Sequence, residues 1–196
     1  TFLRNQPQFS KFKSKLKKVQ PTESYLCLYI GLKKSAKELS LKTTNLWIYP
    51  GYNHDKNIAD YQQDPDGDFP VVYVSFPSAK DPDWDKNHPG CATMEAITLG
   101  RWEWVEKWDK KPWKKRGNEY ENFKEEISQK ILNIVFKHVP NVKESLDHYE
   151  LSTPLSVRDM AHYPAGEMYG LNHTPKRFRQ KWRRPQTGIK NLYLTG

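Results

Sequence analysis

The stretch EYENFKEEISQKILNIVFKH, residues 119–138, holds the longest periodic pattern in the chain. Tyr120, Phe123, Ile127, Ile131, Ile134 and Val135 fall three or four positions apart, so one face of a helix collects them. Asn118 and Glu121 read as an N-cap and its capping partner, and Pro140 marks the far end. Ahead of this helix the pattern changes to period two or to short apolar runs. Residues 25–30, 45–49, 69–76 and 93–99 read as strands, with turns at Pro50-Gly51 and Asp64-Pro65-Asp66-Gly67 between them. A further strand is expected at 148–151. Several strands before one long helix predict an α+β fold with a mixed, largely antiparallel sheet flanked by helices. Shorter helices are expected at 10–19, 54–61 and 101–108. One more should follow Pro154, capped by Ser152 or Thr153, and a basic one should run from Thr174-Pro175 to Trp182. A last strand is expected at 189–195.

The 196 residues suit one domain spanning 1–196. Hydrophobic residues make up 36% and mean hydropathy is −0.91, but seven Trp and eleven Tyr argue against disorder. No apolar run approaches the length of a membrane span. Cys27 and Cys91 are too few for a disulfide framework and read as buried free thiols. The net charge of +9 is concentrated at the ends. Residues 1–20 carry six Lys/Arg and 168–196 carry seven, with no acid in either, leaving 19 basic against 23 acidic residues between them. Basic ends suit nucleic acid, an anionic membrane surface or the phosphates of a cofactor.

Several kinds of chemistry are missing. There is no G-x-G-x-x-G and no P-loop, so no phosphate cradle is encoded. The six histidines lack metal-site spacing, so no metal is expected, and no nucleophile elbow is present. The alternating Asp81, Asp83 and Asp85 lack the Gly and Glu of a calcium loop.

Five segments in order carry a resemblance. They are 73–82 (YVSFPSAKDP), His88-Pro89-Gly90, 151–158 (LSTPLSVR), 166–171 (GEMYGL) and 192–196 (LYLTG). Together they make the chain similar to the group of FAD-dependent oxidoreductases containing carotenoid isomerases, phytoene desaturases and retinol saturases. The retinol saturase-like branch resembles it best. The resemblance covers residues 25–196. It implies the substrate-binding portion of a two-domain FAD flavoprotein acting on carbon–carbon double bonds of an isoprenoid-like polyene. The partners implied are that apolar small molecule and the remainder of the flavoprotein. FAD would belong to the parent and bind this chain negligibly, and the chain alone would be inactive. Residues 189–196 would lead toward the FAD-binding part.

The resemblance implies cofactor contacts at Tyr169, Gly170, Thr195 and Gly196. In the 166–171 loop, two glycines allow close backbone approach to a flat ring and Tyr169 offers a stacking face. The alternative is an ordinary loop with Tyr169 in the core. Arg158 reads as a salt-bridge partner or a phosphate ligand. Trp102, Trp104, Trp108 and Trp113 read as mixed core and surface packing or as a polyene tunnel. Phe178 and Trp182 stand four apart among Lys176, Arg177, Arg179, Lys181, Arg183 and Arg184. They would share one helical face, suited to an anionic membrane surface or simply solvated. These readings expect a cytoplasmic protein or one peripheral on a membrane. The rival reading is a basic binding module for nucleic acid or anionic lipid, against which the acidic middle of the chain counts.

Overall fold

The computed structural model describes residues 7–64, 66–187 and 189–193. They form two compact units: Ser24–Gly166, and a smaller one drawn from Thr1–Glu23 and Glu167–Gly196.

The larger unit is built on five strands: β1 (Ser24–Leu32), β2 (Leu46–Ile48), β3 (Val72–Ser75), β4 (Ala92–Gly100) and β5 (Leu146–Ser152). Their order in the sheet is β2-β3-β4-β1-β5, and every pairing is antiparallel. The fold is α+β as expected, without the parallel pair that a mixed sheet would need. β1 lies between β4 and β5 and reads as a near-continuous apolar run because its outward residues are partly covered too: Cys27 is buried and Tyr25 half-buried, and Tyr29 alone of the three is exposed. One face of the sheet is the core face. Leu26, Leu28, Ile30, Val72, Val74, Met94 and Ala96 point there, buried with Ile131, Leu132 and Val135 of the long helix.

The helices of this unit are α2 (His54–Gln63), α3 (Pro77–Lys80), α4 (Trp84–Asn87), α5 (Asn118–His138) and α6 (Pro154–Ala161); α1 (Pro7–Leu16) belongs to the smaller unit. The short α4 lies in the segment that the turn signals Asp81-Pro82-Asp83 and His88-Pro89-Gly90 bracket as a loop, and α3 lies just ahead of it. α5 carries the expected stripe, with Tyr120, Ile131 and Val135 buried and Ile127 and Ile134 partly so. Its cap differs from expectation. Asn118 is already helical, and Gly117 holds the cap position at φ 86 with no side-chain cap hydrogen bond. That left-handed conformation is open to glycine, and the chain enters it directly from the buried Arg116. Thr153 caps α6 and Pro154 takes its first position. Ser156 Oγ accepts the Thr153 N–H at 3.2 Å, and the Tyr120 and Thr153 hydroxyls meet at 2.6 Å, tying α5 to α6.

Two other helices take a tighter form. Residues 101–108 make two 3₁₀ turns, Trp102–Trp104 and Glu106–Trp108, in place of an α-helix. Trp102, Val105 and Trp108 stand three apart, the spacing that a 3₁₀ turn aligns, and Val105 and Trp108 are buried with Tyr120 and Leu155. The basic segment in the smaller unit likewise forms 3₁₀ turns, Pro175–Arg179 and Lys181–Arg183. Cations at spacings of three and four repel one another on an α-helix. Arg183 shows this crowding: burial first, then the neighbouring Arg177 charge, lower its pKa. Over the described residues 189–193 no strand forms. Tyr193 makes a lone antiparallel bridge to Gln186, around a turn in which Leu192 N–H donates to Ile189 O at 3.1 Å.

Candidate functional site

The face of the sheet opposite the core carries a chemical pattern. The register lines up Trp47, Tyr73, Ile97, Cys27 and Ser152 in one row across all five strands. Beside it lie Leu99 and Tyr25, paired between β4 and β1. On the other side, two residues or about 6.6 Å along the strands, runs a polar row of Ser75, Glu95, Tyr29 and Glu150. Trp47 to Cys27 spans three strand spacings, about 14 Å. Trp47 stacks edge-on against Tyr73 at 4.8 Å between ring centres. Trp47 and Tyr29 are 62% and 48% exposed, whereas Cys27 is buried at the centre.

The Cys27 thiol and the Tyr25 and Tyr29 phenols on this face stay protonated at physiological pH. Burial pushes the Cys27 thiol up to about 12, against the lowering effect of its hydrogen bond with Tyr29. Burial also pushes the Tyr29 phenol up to about 12, with Cys27 and Glu95 adding to the rise, and raises Tyr25. Cys27 is therefore a protonated, buried thiol rather than a nucleophile. A neutral aromatic row bordered by a carboxylate row can take an elongated apolar molecule with one polar end. Sequence reasoning takes Cys27 and Cys91 as buried free thiols; both are free, and Cys27 is buried, but Cys91 is only partly so. That reasoning misses the row, because strand order and register decide which side chains become neighbours.

The 166–171 loop is organised differently from a flat-ring cradle. Within the smaller unit, Tyr169 N–H donates to Thr22 Oγ1 at 3.1 Å, and Gly170 O accepts Thr22 N–H at 2.7 Å. Gly170 is left-handed at φ 70. Pro21 bridges Leu171, and Met168 N–H donates to Glu23 O at 3.0 Å. These backbone groups are thus spent on an internal ladder, and only the Tyr169 ring, 68% exposed and 6.0 Å from the His173 ring, is offered outward. Core packing of Tyr169 is excluded. Thr195 and Gly196 lie outside the described residues. In the larger unit, α5 starts from the single Gly117, and α6 is closed by its own capping box.

The remaining candidates resolve into structure. Arg158 is paired with Asp109 and, at 3.0 Å, with Asp159, and its guanidinium lies 5.8 Å from the Trp102 ring centre. Trp108 packs between Tyr120 and Phe123, while Trp113 is 49% exposed, so the tryptophans divide between core and surface. Trp182 packs edge-on against Phe12 at 5.6 Å whereas Phe178 is 88% exposed, so the two do not share an exposed face. Among the described residues, no three His, Cys, Asp or Glu side chains group as metal ligands, and no helix is long and apolar enough to cross a membrane.

No protein-family model matches the chain. Known proteins do. The all-trans-retinol 13,14-reductase of Danio rerio is 35% identical over 188 residues, 92% of this chain. The chain is homologous to the all-trans-retinol 13,14-reductases. The human reductase is 30% identical over 94% of the chain, and a Danio rerio relative named an inactive all-trans-retinol 13,14-reductase is 29% identical over 92%. The chain spans 31%, about a third, of the length of each of these curated relatives.

Proposed function

We propose that this chain is the substrate-binding part of an oxidoreductase that saturates a carbon–carbon double bond of a retinoid-like polyene alcohol. The homology to retinol reductases over 92% of the chain carries this reading. The outer sheet face gives it a physical form. The polyene lies along Trp47, Tyr73 and Ile97, with Cys27 buried beside Ile97, where aromatic and aliphatic surface replaces water. The hydroxyl end reaches the polar row, where Glu95 accepts its hydrogen bond and Tyr29 supplies a second polar contact. Cys27 and Tyr29, held protonated by burial, strand no charge beneath an apolar ligand. Saturation adds a hydride and a proton to the double bond. Reduced FAD, which the family resemblance implies, would supply the hydride and solvent the proton; it would be held mainly by residues other than those described, with the exposed Tyr169 ring as this chain's contact.

The test is turnover of all-trans-retinol by the full-length protein under anaerobic, reducing conditions, followed by chromatography and mass spectrometry. A product heavier by two hydrogens supports the reading. Because an inactive relative matches the same segment, binding is measured alongside. Retinol bound without turnover would make the protein a retinoid-holding relative, and neither binding nor turnover would overturn the proposal.

A further inference from the structure

Residues Lys110-Lys111-Pro112-Trp113-Lys114-Lys115-Arg116 place five cations in seven positions with no acid among them. The segment is a folded loop of the larger unit. Lys111 N–H donates to Trp108 O and Lys115 N–H to Pro112 O, each at 3.0 Å. Lys111 Nζ donates to Arg116 O at 3.2 Å, and Lys114, left-handed at φ 59, holds its ammonium 4.9 Å from the Trp113 ring centre. Arg116 is the root. Its side chain is 2% exposed, pairs with Asp159 at 2.5 Å and lies 5.2 Å from the Tyr120 ring centre. The four lysines remain exposed around Trp113.

The acids nearby are already engaged. Asp109 pairs with Arg158, and Asp159 with Arg116 and Arg158. Glu121 and Glu150, at the edge of the adjoining cleft of about 310 Å³, both flank Lys124. Met160 of α6 is 58% exposed and borders the same cleft as Trp113, so two large apolar side chains share the basic surface. His162 lines the neighbouring depression with Lys110 and Lys111.

We propose that this loop docks the protein on an anionic phospholipid bilayer. Lys110, Lys111, Lys114 and Lys115 meet the headgroup phosphates, and Trp113 and Met160 enter the boundary with the acyl chains. Exposed lysines around an amphipathic indole are the pattern that anionic interfaces attract. Single-stranded nucleic acid would need free aromatic faces in series for base stacking. Here one indole already carries Lys114, and its apolar neighbour is an aliphatic thioether. The proposal goes beyond the oxidoreductase reading and does not depend on it, because lipid binding is read without substrate.

The experiment is sedimentation of the full-length protein with phosphatidylcholine vesicles with and without phosphatidylserine, at low and raised salt. Selective, salt-sensitive binding to the anionic vesicles is expected. Neutralising Lys110, Lys111, Lys114 and Lys115 together to Ala should weaken it by roughly fivefold per lysine removed. Trp113→Ala, which leaves the charge unchanged, should weaken it several-fold. Changing Lys176, Arg177, Arg179 and Lys181 to Ala should leave most of it intact, with circular dichroism confirming the fold of each variant. The proposal is overturned if the loop variant binds within twofold of wild type, if the second cluster accounts for the binding instead, or if wild type shifts duplex DNA and ignores vesicles.

Discussion

At Gly166 the backbone lies at φ 63, and a Cβ added there would stand 2.4 Å from Pro154 Cα and 2.5 Å from Pro154 O. Neither neighbour is a flexible side-chain end, so the backbone would have to move. Gly166→Ala should cost about 3 kcal/mol, read by chemical denaturation; a loss below about 0.5 kcal/mol, the surface range, would contradict this. The sequence marks Gly166 as a site of close approach, and it is one, but to the start of α6 rather than to a ring. Arg116 is less legible, because a lone arginine ending a basic run looks like surface. Its partner Asp159 titrates accordingly. Burial alone would raise Asp159, but hydrogen bonds from Arg116 and Arg158 outweigh it and leave the pKa below the ordinary 3.8. A carboxylate so depressed stabilises the fold fully above that ordinary value, and the stabilisation disappears as pH falls through the lowered one. Asp159→Asn, which leaves Arg116 buried and unpaired, should cost about 3 kcal/mol at neutral pH. Denaturation midpoints of wild type and variant should converge below about pH 3.8. A constant gap down to acid pH would rule out the ion pair as the cause.

Among the elements, α5 is the one that sequence reads best, because a 3.6-residue stripe over 21 residues leaves few alternatives. Ile131 is fully buried in the core. Ile131→Asp should destabilise by about 3 kcal/mol or more through an unpaired buried charge, measured by urea unfolding, whereas a change in the surface range would place the stripe outside the core. The tryptophan segment is harder to read, since spacings of three suit both a 3₁₀ turn and the start of an α-helix. The basic segment at 175–183 fails for another reason. Its aromatics have helical spacing, but the repulsion among its cations and the contact of Trp182 with Phe12 are tertiary facts. β4 is legible in its alternation, with Ala92, Met94, Ala96, Thr98 and Gly100 all turned inward. What the other half of that alternation is for depends on its neighbours.

Across the whole molecule, the proposed function rests on an arrangement that local pattern does not encode. The order β2-β3-β4-β1-β5 brings Trp47, Tyr73, Ile97 and Cys27 into one row although they are spread over residues 27–97. Motif reading reached the right relatives and pointed to Tyr169 and Gly170. The structure shows their backbone engaged by Thr22 and leaves the Tyr169 ring exposed. The neutral aromatic row becomes visible only once register is known. Ile97 is its centre, partly exposed, flanked by Tyr73 and Cys27, and apart from the buried core. Ile97→Gln therefore tests the account most directly, with thermal melting to verify that the fold is kept. If the polyene lies on this face, steady-state kinetics of the full-length protein with all-trans-retinol should show KM raised about tenfold with kcat little changed, the mark of lost binding rather than lost chemistry. A KM equal to that of wild type in a fully folded variant would contradict the account.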